Sequence, residues 1–150
     1  MAADADSRTN PDRPVVGVGV VVWRGDHFLL VRRGKEPNKG KWSIPGGAQQ
    51  LGETVFSAAA REVLEETGLV VDVQRLVDVV DGIMTDDAGS VVYHYTLVDL
   101  VAHSPAGEPV AADDAAAVGW FQLDDLAGMG MWSETERIIR ESALLLEQQG

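Results

Sequence analysis

The sequence predicts one domain that mixes strands and helices, in an α+β or α/β/α sandwich fold, and three observations support this. The chain has 150 residues, the length of one typical domain, of which 45% are apolar and 24% are charged, as in ordinary globular proteins. Short runs rich in β-branched residues accompany only two helical segments, too few for a doubly wound parallel sheet. No apolar run approaches the ~20 residues that cross a membrane, so no membrane partner is expected.

The first part of the chain is predicted to form a tail and a hairpin. Residues 1–14 are polar and lack the apolar core of a signal peptide, so the domain is predicted to span 15–150. Residues 15–23 form a nearly continuous apolar run that is typical of a buried strand. A Gly-Asp turn then leads into residues 27–32, which are predicted to pair back on the first strand.

An irregular segment and a helix are predicted next. Residues 34–40 contain Gly, Pro and Asn and indicate a loop. Residues 42–47 end in Pro-Gly-Gly, a sequence that resists both helix and strand. Thr54 is a suitable N-cap for a helix over 55–67, and Gly68 is its natural C-cap.

The rest of the chain is predicted to complete the sheet and to close with a second helix. The expected elements are strands at 70–80, 90–101 and 118–123, a polar loop at 105–114 and an amphipathic helix at 133–149.

Charge is distributed unevenly along the chain, whose formal net charge is −12. Residues 24–41 hold six basic residues, including every lysine, against two acids, whereas residues 42–150 hold four arginines against 19 acids. The basic segment is either a solvated hairpin or a local anion site. The acidic balance argues against a nucleic acid polymer as partner. The absence of cysteine excludes disulfides and thiolate metal sites, and it fits a cytoplasmic location.

Three glutamates share one face of the predicted 55–67 helix. Glu62, Glu65 and Glu66 are spaced i, i+3 and i+4, where like charges repel one another unless a cation lies between them. The arrangement is therefore either an exposed acidic face or a metal site, and oxygen ligands suit Mg²⁺ or Mn²⁺. Zinc is disfavoured because the three histidines lack ligand-like spacing. The apolar residues predicted to face the core occupy a different arc: Val55, Phe56, Ala59, Ala60, Val63 and Leu64.

These residues resemble the Nudix box, a signature that runs here from Gly47 to Leu69. The match consists of Gly47, five residues, Glu53, seven residues and the run Arg61-Glu62-Val63-Leu64-Glu65-Glu66-Thr67-Gly68-Leu69, in which every fixed position of the signature is present. The resemblance extends over roughly residues 15–148, and the compact architecture is similar to bacterial MutT-like and ADP-ribose-pyrophosphatase-like members.

The resemblance implies a loop–helix–loop catalytic element in an α/β/α sandwich with a mixed sheet. It further implies Mg²⁺- or Mn²⁺-dependent hydrolysis of a nucleoside diphosphate linked to another group. By position, Glu62, Glu65 and Glu66 correspond to metal ligands or water activators, and the Gly47 carbonyl corresponds to a further ligand. Glu53 corresponds to a supporting carboxylate and Arg61 to an orienting residue. Bound divalent ions would make this acidic cluster attractive to a pyrophosphate.

Residues outside the box are candidates for substrate binding. Arg32, Arg33 and Lys41 belong to the basic segment and are candidates for phosphate contacts. Trp42 can stack on a base or pack under the glycine loop. Tyr95 shares a strand face with Tyr93, where the pair can stack on a base or fill the core.

A further carboxylate is expected outside the box, because family members often draw a base or ligand from another loop. Asp113 and Asp114 precede the 118–123 strand, and Asp114 is included among the candidate catalytic residues. The alternative is a turn-forming Asp-Asp pair.

Three functions stay open at this point. The first is a diphosphatase acting on ADP-ribose or a nucleotide sugar, and the second is a house-cleaning nucleoside triphosphate pyrophosphatase. Residues 129–134 resemble the segment with which some triphosphate-cleaning members read an oxidised purine. The third is a non-catalytic Nudix module that binds a nucleotide. A small nucleotide is the expected partner, and a homodimer is an open expectation because family members are often dimers.

Overall fold

A computed structural model describes residues 9–36 and 38–149 and shows a mixed sheet between two helices. The strands are β1 Val15–Arg24, β2 His27–Arg33, β3 Trp42–Ser43, β4 Gly46–Ala48, β5 Asp72–Thr85, β6 Val91–His103 and β7 Ala115–Phe121. The helices are α1 Val55–Thr67 and α2 Ser133–Gln149, with a short 3-10 helix at Leu123–Leu126.

The sheet is mixed because one pairing differs in direction from the rest. Strands follow the order β3-β2-β1-β6-β5, β4 pairs with β1, and β7 pairs with β2. β1 and β6 run parallel, whereas the other pairings between the described strands are antiparallel. β5 and β6 form the longest ribbon, with a turn in which the Asp86 carboxylate accepts from the backbone N–H groups of Ala88 and Ser90.

Alternating side chains divide the core into two layers, as the period of a β-strand requires. Val20, Val22 and Leu100 pack with Ala59 and Val63 of α1 on one face of the sheet. On the opposite face, a second cluster packs against α2 and contains Val21, Trp23, Phe28, Leu30, Val80, Val101, Ile138 and Ile139. The predicted α/β/α sandwich is therefore confirmed.

The caps of α1 form as the sequence predicts. The Thr54 hydroxyl accepts from the Ser57 N–H at 3.0 Å, which satisfies one of the free donors of the first turn. Gly68 ends the helix with a φ of 75°, a left-handed conformation that glycine adopts without strain.

Two expectations about local structure are wrong. Residues 42–47 do contain strand, because the Ser43 region pairs with Val31 of β2 and the Gly46–Ala48 segment pairs with β1. The buried face of α1 is also rotated from the predicted apolar arc. Phe56 and Leu64 are 42% and 50% exposed, whereas Ala58, Glu66 and Thr67 are buried.

The N-terminal boundary of the domain stays a prediction. Residues 1–8 of the expected tail lie outside the described residues, and β1 begins at Val15. Asn10 nevertheless donates its backbone N–H to the Val92 carbonyl of β6 at 2.8 Å. Neither helix in the described parts of the chain combines the length and apolar character needed to traverse a bilayer.

Candidate active site

The strand β4 brings two glycines against β1 and α1, where a side chain has no room. A β-carbon on Gly46 would overlap the Val18 carbonyl oxygen of β1. One on Gly47 would lie 2.5 Å from the carboxyl carbon of Glu62. The glycine pair therefore lets the Glu62 carboxylate lie directly against the backbone of β4.

Arg61 organises the carboxylates around this backbone. Its Nε and Nη2 bind the two oxygens of Glu53 at 2.6 and 2.9 Å, a bidentate pair. Its Nη1 donates to Glu62 at 2.9 Å and to Glu65 at 3.2 Å, and Nη2 also donates to the Ala48 carbonyl at 3.1 Å. The Arg61–Glu65 pairing that the i, i+4 spacing predicts is present, and the same guanidinium binds four groups.

Glu66 is the most deeply buried of the three helix glutamates. It is 8% exposed and accepts a hydrogen bond from the Gly46 N–H at 2.8 Å. Burial raises its pKa to about 7, and the nearby charges of Glu62 and Asp113 act in the same direction. Burial also raises the pKa of Glu62. The pKa of Glu53 is instead lowered by its hydrogen bond with Arg61.

The donor chemistry of these residues fits a hard divalent cation. Within residues 9–36 and 38–149, no three acidic or histidine side chains already converge at chelating distance. In this arrangement Arg61 binds Glu62 and Glu65, while the Gly46 N–H binds Glu66. In each carboxylate the second oxygen makes no hydrogen bond among the described residues. Mg²⁺ keeps several waters and uses one or two protein carboxylates, so these oxygens suit it.

A cleft of about 830 Å³ lies beside the box, and β4 contributes to both. Four predicted substrate-binding residues line it: Arg33, Lys41, Trp42 and Tyr95. Arg33 is also close enough to Glu66 to lower the pKa of that carboxyl. Tyr93 lines the cleft with Tyr95, as their shared strand face predicts.

Arg32 does not line this cleft, although it was predicted with Arg33 to contact phosphate. The register of β2 with β7 shifts between Arg32 and Arg33, so the two arginines do not follow the simple alternation of a strand. The Arg32 guanidinium lies 5.9 Å from the ring centre of Trp42. The Trp42 ring in turn meets Phe121 edge to face at 5.1 Å, so this indole packs on the sheet while it borders the cleft.

The two aspartates of the 105–114 loop have different surroundings. Asp114 lines the cleft and forms an ion pair with Lys35 at 2.7 Å. Asp113 adopts a left-handed φ of 55° and lies near enough to Glu62 and Glu66 to raise the pKa of both. Backbone bonds from Val110 and Ala112 to the Thr67 and Glu66 carbonyls anchor the loop on α1. The charge of Asp113 therefore acts on the glutamates of the box, whereas the side chain of Asp114 lines the cleft.

One cleft residue was not identified from the sequence. Asp99 lies on β6 with 6% of its surface exposed. The signal that marks it is an acid inside the apolar run Leu97-Val98-Asp99-Leu100-Val101, since charged residues are rarely buried in a strand without a reason.

Comparison with known proteins agrees with this geometry. A family model of the NUDIX domain matches residues 13–141. The chain is 34% identical over 128 residues to an ADP-ribose pyrophosphatase of Methanocaldococcus jannaschii, which covers 85% of this chain and 72% of that protein. It is 30% identical over 115 residues to an oxidized purine nucleoside triphosphate hydrolase of Danio rerio, covering 77% and 70%.

A solved structure shows the same fold. The MutT NUDIX hydrolase from Burkholderia pseudomallei superposes with a TM-score of 0.72 at 32% identity and covers 87% of this chain and 98% of its own. The family match spans most of the chain and includes the glycine pair, Arg61 and the three helix glutamates. The chain therefore belongs to the Nudix family, hydrolases that act on pyrophosphate bonds and generally use divalent metal ions.

Proposed function

We propose that this protein hydrolyses the pyrophosphate bond of a nucleoside diphosphate linked to another group, with ADP-ribose or a nucleotide sugar as substrate and Mg²⁺ or Mn²⁺ as cofactor. The observation that carries the proposal is the set of three glutamates that α1 presents beside β4. Glu62 lies against Gly47, Arg61 binds Glu62 and Glu65, and the Gly46 N–H binds Glu66. Repulsion among three carboxylates is unfavourable in a purely structural cluster, and a cation offsets it.

Glu62, Glu65 and Glu66 are the residues that would hold the metal, together with the Gly47 carbonyl. When bound, a divalent ion polarises phosphoryl oxygens and lowers the pKa of water. Glu53 is not assigned as a metal ligand, because both of its carboxylate oxygens are bound by Arg61. Its role is to fix the guanidinium that orients Glu62 and Glu65.

Glu65 is the carboxylate best placed to accept a proton from the attacking water. Its side chain is 44% exposed, against 13% for Glu62. The water oxygen forms a bond to one phosphorus, and the bond from that phosphorus to the bridging oxygen breaks. The water proton passes to the Glu65 carboxylate, and the products are two monophosphates.

The cleft residues supply the positive charge that the phosphates need. Arg33 and Lys41 line the cleft, and Arg33 is electrostatically coupled to Glu66. A phosphate between these cations and the glycine backbone would lie next to the box. This placement is the physical reason for assigning Arg33 and Lys41 to the pyrophosphate.

The choice of ADP-ribose is supported by the Methanocaldococcus jannaschii relative, which is named as an ADP-ribose pyrophosphatase. The test is a panel of ADP-ribose, nucleotide sugars and nucleoside triphosphates, incubated with Mg²⁺ and analysed for products by mass spectrometry. The proposal expects two monophosphates from ADP-ribose. Glu65→Gln should lose this activity, whereas Glu147→Gln, an exposed charge change on α2, should retain it. No turnover of any diphosphate-linked substrate would reject the proposal.

A triphosphate pyrophosphohydrolase is the second candidate. It is supported by Met131, Trp132 and Glu134, which line the cleft, and by the Danio rerio relative. The same panel separates the two functions, because this activity releases inorganic pyrophosphate and a nucleoside monophosphate. The intact carboxylates give no support to a non-catalytic module. The homodimer and the cytoplasmic location stay predictions.

A further inference from the structure

Asp99 occupies a position where the fold would ordinarily place an apolar side chain. It shares one face of β6 with Leu97 and Val101, the face that is covered by α2. Val101 is completely buried in the core cluster on this face, and Asp99 is 6% exposed. A carboxylate at this depth is costly to bury unless something interacts with it.

Glycines surround this carboxylate on the sheet and leave space where other residues would have side chains. Gly19 lies opposite Asp99 in the parallel β1–β6 pair, and a β-carbon there would overlap the Asp99 Oδ1 and approach Ile44 Cδ1 to 2.9 Å. Gly17 and Gly82 flank Leu97 in the same way, because a β-carbon on either would lie 3.0 or 3.4 Å from a Leu97 methyl group. Because the floor lacks these side chains, the cleft reaches down to Asp99.

Asp99 has no hydrogen-bond or ion-pair partner among residues 9–36 and 38–149. Arg137, whose charge influences Asp99, is already bound to Asp78 at 3.0 Å, Glu134 at 2.6 Å and Glu141 at 2.8 Å. Among the described residues, every fully buried side-chain oxygen or nitrogen has a hydrogen bond, so the oxygens of Asp99 must open onto the cleft that they line. An unpartnered carboxyl that lines a cleft therefore points to a donor supplied by the ligand.

We propose that Asp99 is a specificity-determining residue that recognises an N–H donor on the base of a nucleotide bound in this cleft. This inference rests on the proposed function in one respect, which is that a nucleotide binds in the cleft. Flat, apolar walls from Tyr95, Leu97, Met131 and Trp132 suit a heterocyclic ring.

A base fits this position better than a phosphate does. Asp99 lies within electrostatic reach of Asp78 and Glu134, and this negative surrounding repels an anion. The phosphates instead match Arg33, Lys35 and Lys41, which line the same cleft. A ligand whose base lacks an N–H donor would cover the Asp99 carboxylate without giving it a hydrogen bond. Such a ligand should bind much more weakly, because a buried polar group without a partner is costly.

The experiment measures the affinity of full-length protein for three nucleoside 5′-monophosphates by isothermal titration calorimetry with Mg²⁺. AMP and GMP carry N–H donors on the base, whereas purine riboside 5′-monophosphate carries none. We expect the wild type to bind AMP or GMP at least about tenfold more tightly than the donor-free analogue. Asp99→Leu should reduce this ratio to within about twofold and should not weaken binding of the donor-free analogue.

Two further variants separate recognition from structural damage. Asp99→Asn keeps an acceptor oxygen and should therefore retain part of the preference for AMP or GMP over the donor-free analogue. Asp81→Asn changes an exposed carboxylate of β5 that does not line the cleft and should leave the ratio unchanged.

The inference is overturned if the wild type does not discriminate, if it binds none of the three monophosphates, or if Asp99→Leu keeps the wild-type ratio. A fourth titration, with 2′-deoxy-AMP, tests recognition of the sugar. The inference is also overturned if Asp99→Leu removes only the discrimination between AMP and 2′-deoxy-AMP, because the carboxylate would then recognise a sugar hydroxyl. Hydrolysis of ADP-ribose is assayed separately. Turnover without base discrimination rejects only the role of Asp99, and discrimination without turnover rejects only the proposed function.

Discussion

Replacing Glu66 with glutamine should stabilise the metal-free protein at alkaline pH while abolishing its activity. The Glu66 carboxyl is 8% exposed, and burial raises its pKa from 4.5 to about 7. The folded protein therefore binds the Glu66 proton more tightly than the unfolded chain does. Stability from this group is fully present below pH 4.5 and is lost as the pH rises through about 7.

The size of the effect follows from the two pKa values. Since one pKa unit corresponds to about 1.4 kcal/mol, the difference between 4.5 and about 7 gives about 3 kcal/mol at pH 8. Glutamine keeps the acceptor for the Gly46 N–H and carries no charge, so it avoids this cost. With a urea m-value of about 2 kcal/mol per molar, Glu66→Gln should raise the unfolding midpoint at pH 8 by about 1–2 M.

The assay is urea unfolding of wild type and Glu66→Gln in EDTA at pH 8 and at pH 4.5, where the difference should nearly vanish. Added Mg²⁺ should reverse the order, because ligand binding to the folded state stabilises the wild type more. Turnover should fall at least about 100-fold, since even groups that only support metal ligands contribute 10–100-fold. A Glu66→Gln protein that is less stable than wild type at pH 8 in EDTA would refute the reasoning.

Three further changes test separate parts of the account. Gly47→Ala should lower kcat at least about 100-fold, because the new methyl group displaces the Glu62 carboxylate; unchanged kcat would contradict this placement. Arg61→Lys keeps the charge but loses the bidentate pair with Glu53, so urea unfolding should show a loss of about 1–3 kcal/mol. Thr54→Ala removes the N-cap and should cost about 1 kcal/mol with kcat preserved; a large loss of kcat would show that the cap acts on the site.

Local signals in the sequence are sufficient to predict the helix α1 that carries the three glutamates. A cap residue and a terminal glycine define its ends, and the spacing of the glutamates defines their common face. Its buried face could not be predicted from apolarity alone. Glu66 is buried because Gly46 of β4 supplies a backbone donor to it, and that contact joins residues 20 positions apart.

Non-local pairing explains the other differences. The Pro-Gly-Gly segment resists strand formation on local propensity, yet β4 forms because Gly46 and Gly47 fit closely against β1. Arg32 and Arg33 are adjacent in sequence, but the register of β2 with β7 shifts between them, and of the two only Arg33 lines the cleft. The cleft itself depends on the register of β1 with β6, which places Gly19 opposite Asp99. The pairing of β1 with β6 joins distant parts of the chain, so no local sequence pattern predicts its register.

In the proposed function, the glutamates of α1 act with a divalent ion to hydrolyse a pyrophosphate bond. The most direct measurement is the rate of product formation from ADP-ribose, followed by mass spectrometry for wild type, Glu65→Gln and Glu66→Gln in Mg²⁺ and in excess EDTA. We expect equimolar AMP and ribose 5-phosphate from the wild type in Mg²⁺ alone. Undiminished turnover in EDTA, or wild-type rates in both variants, would contradict it.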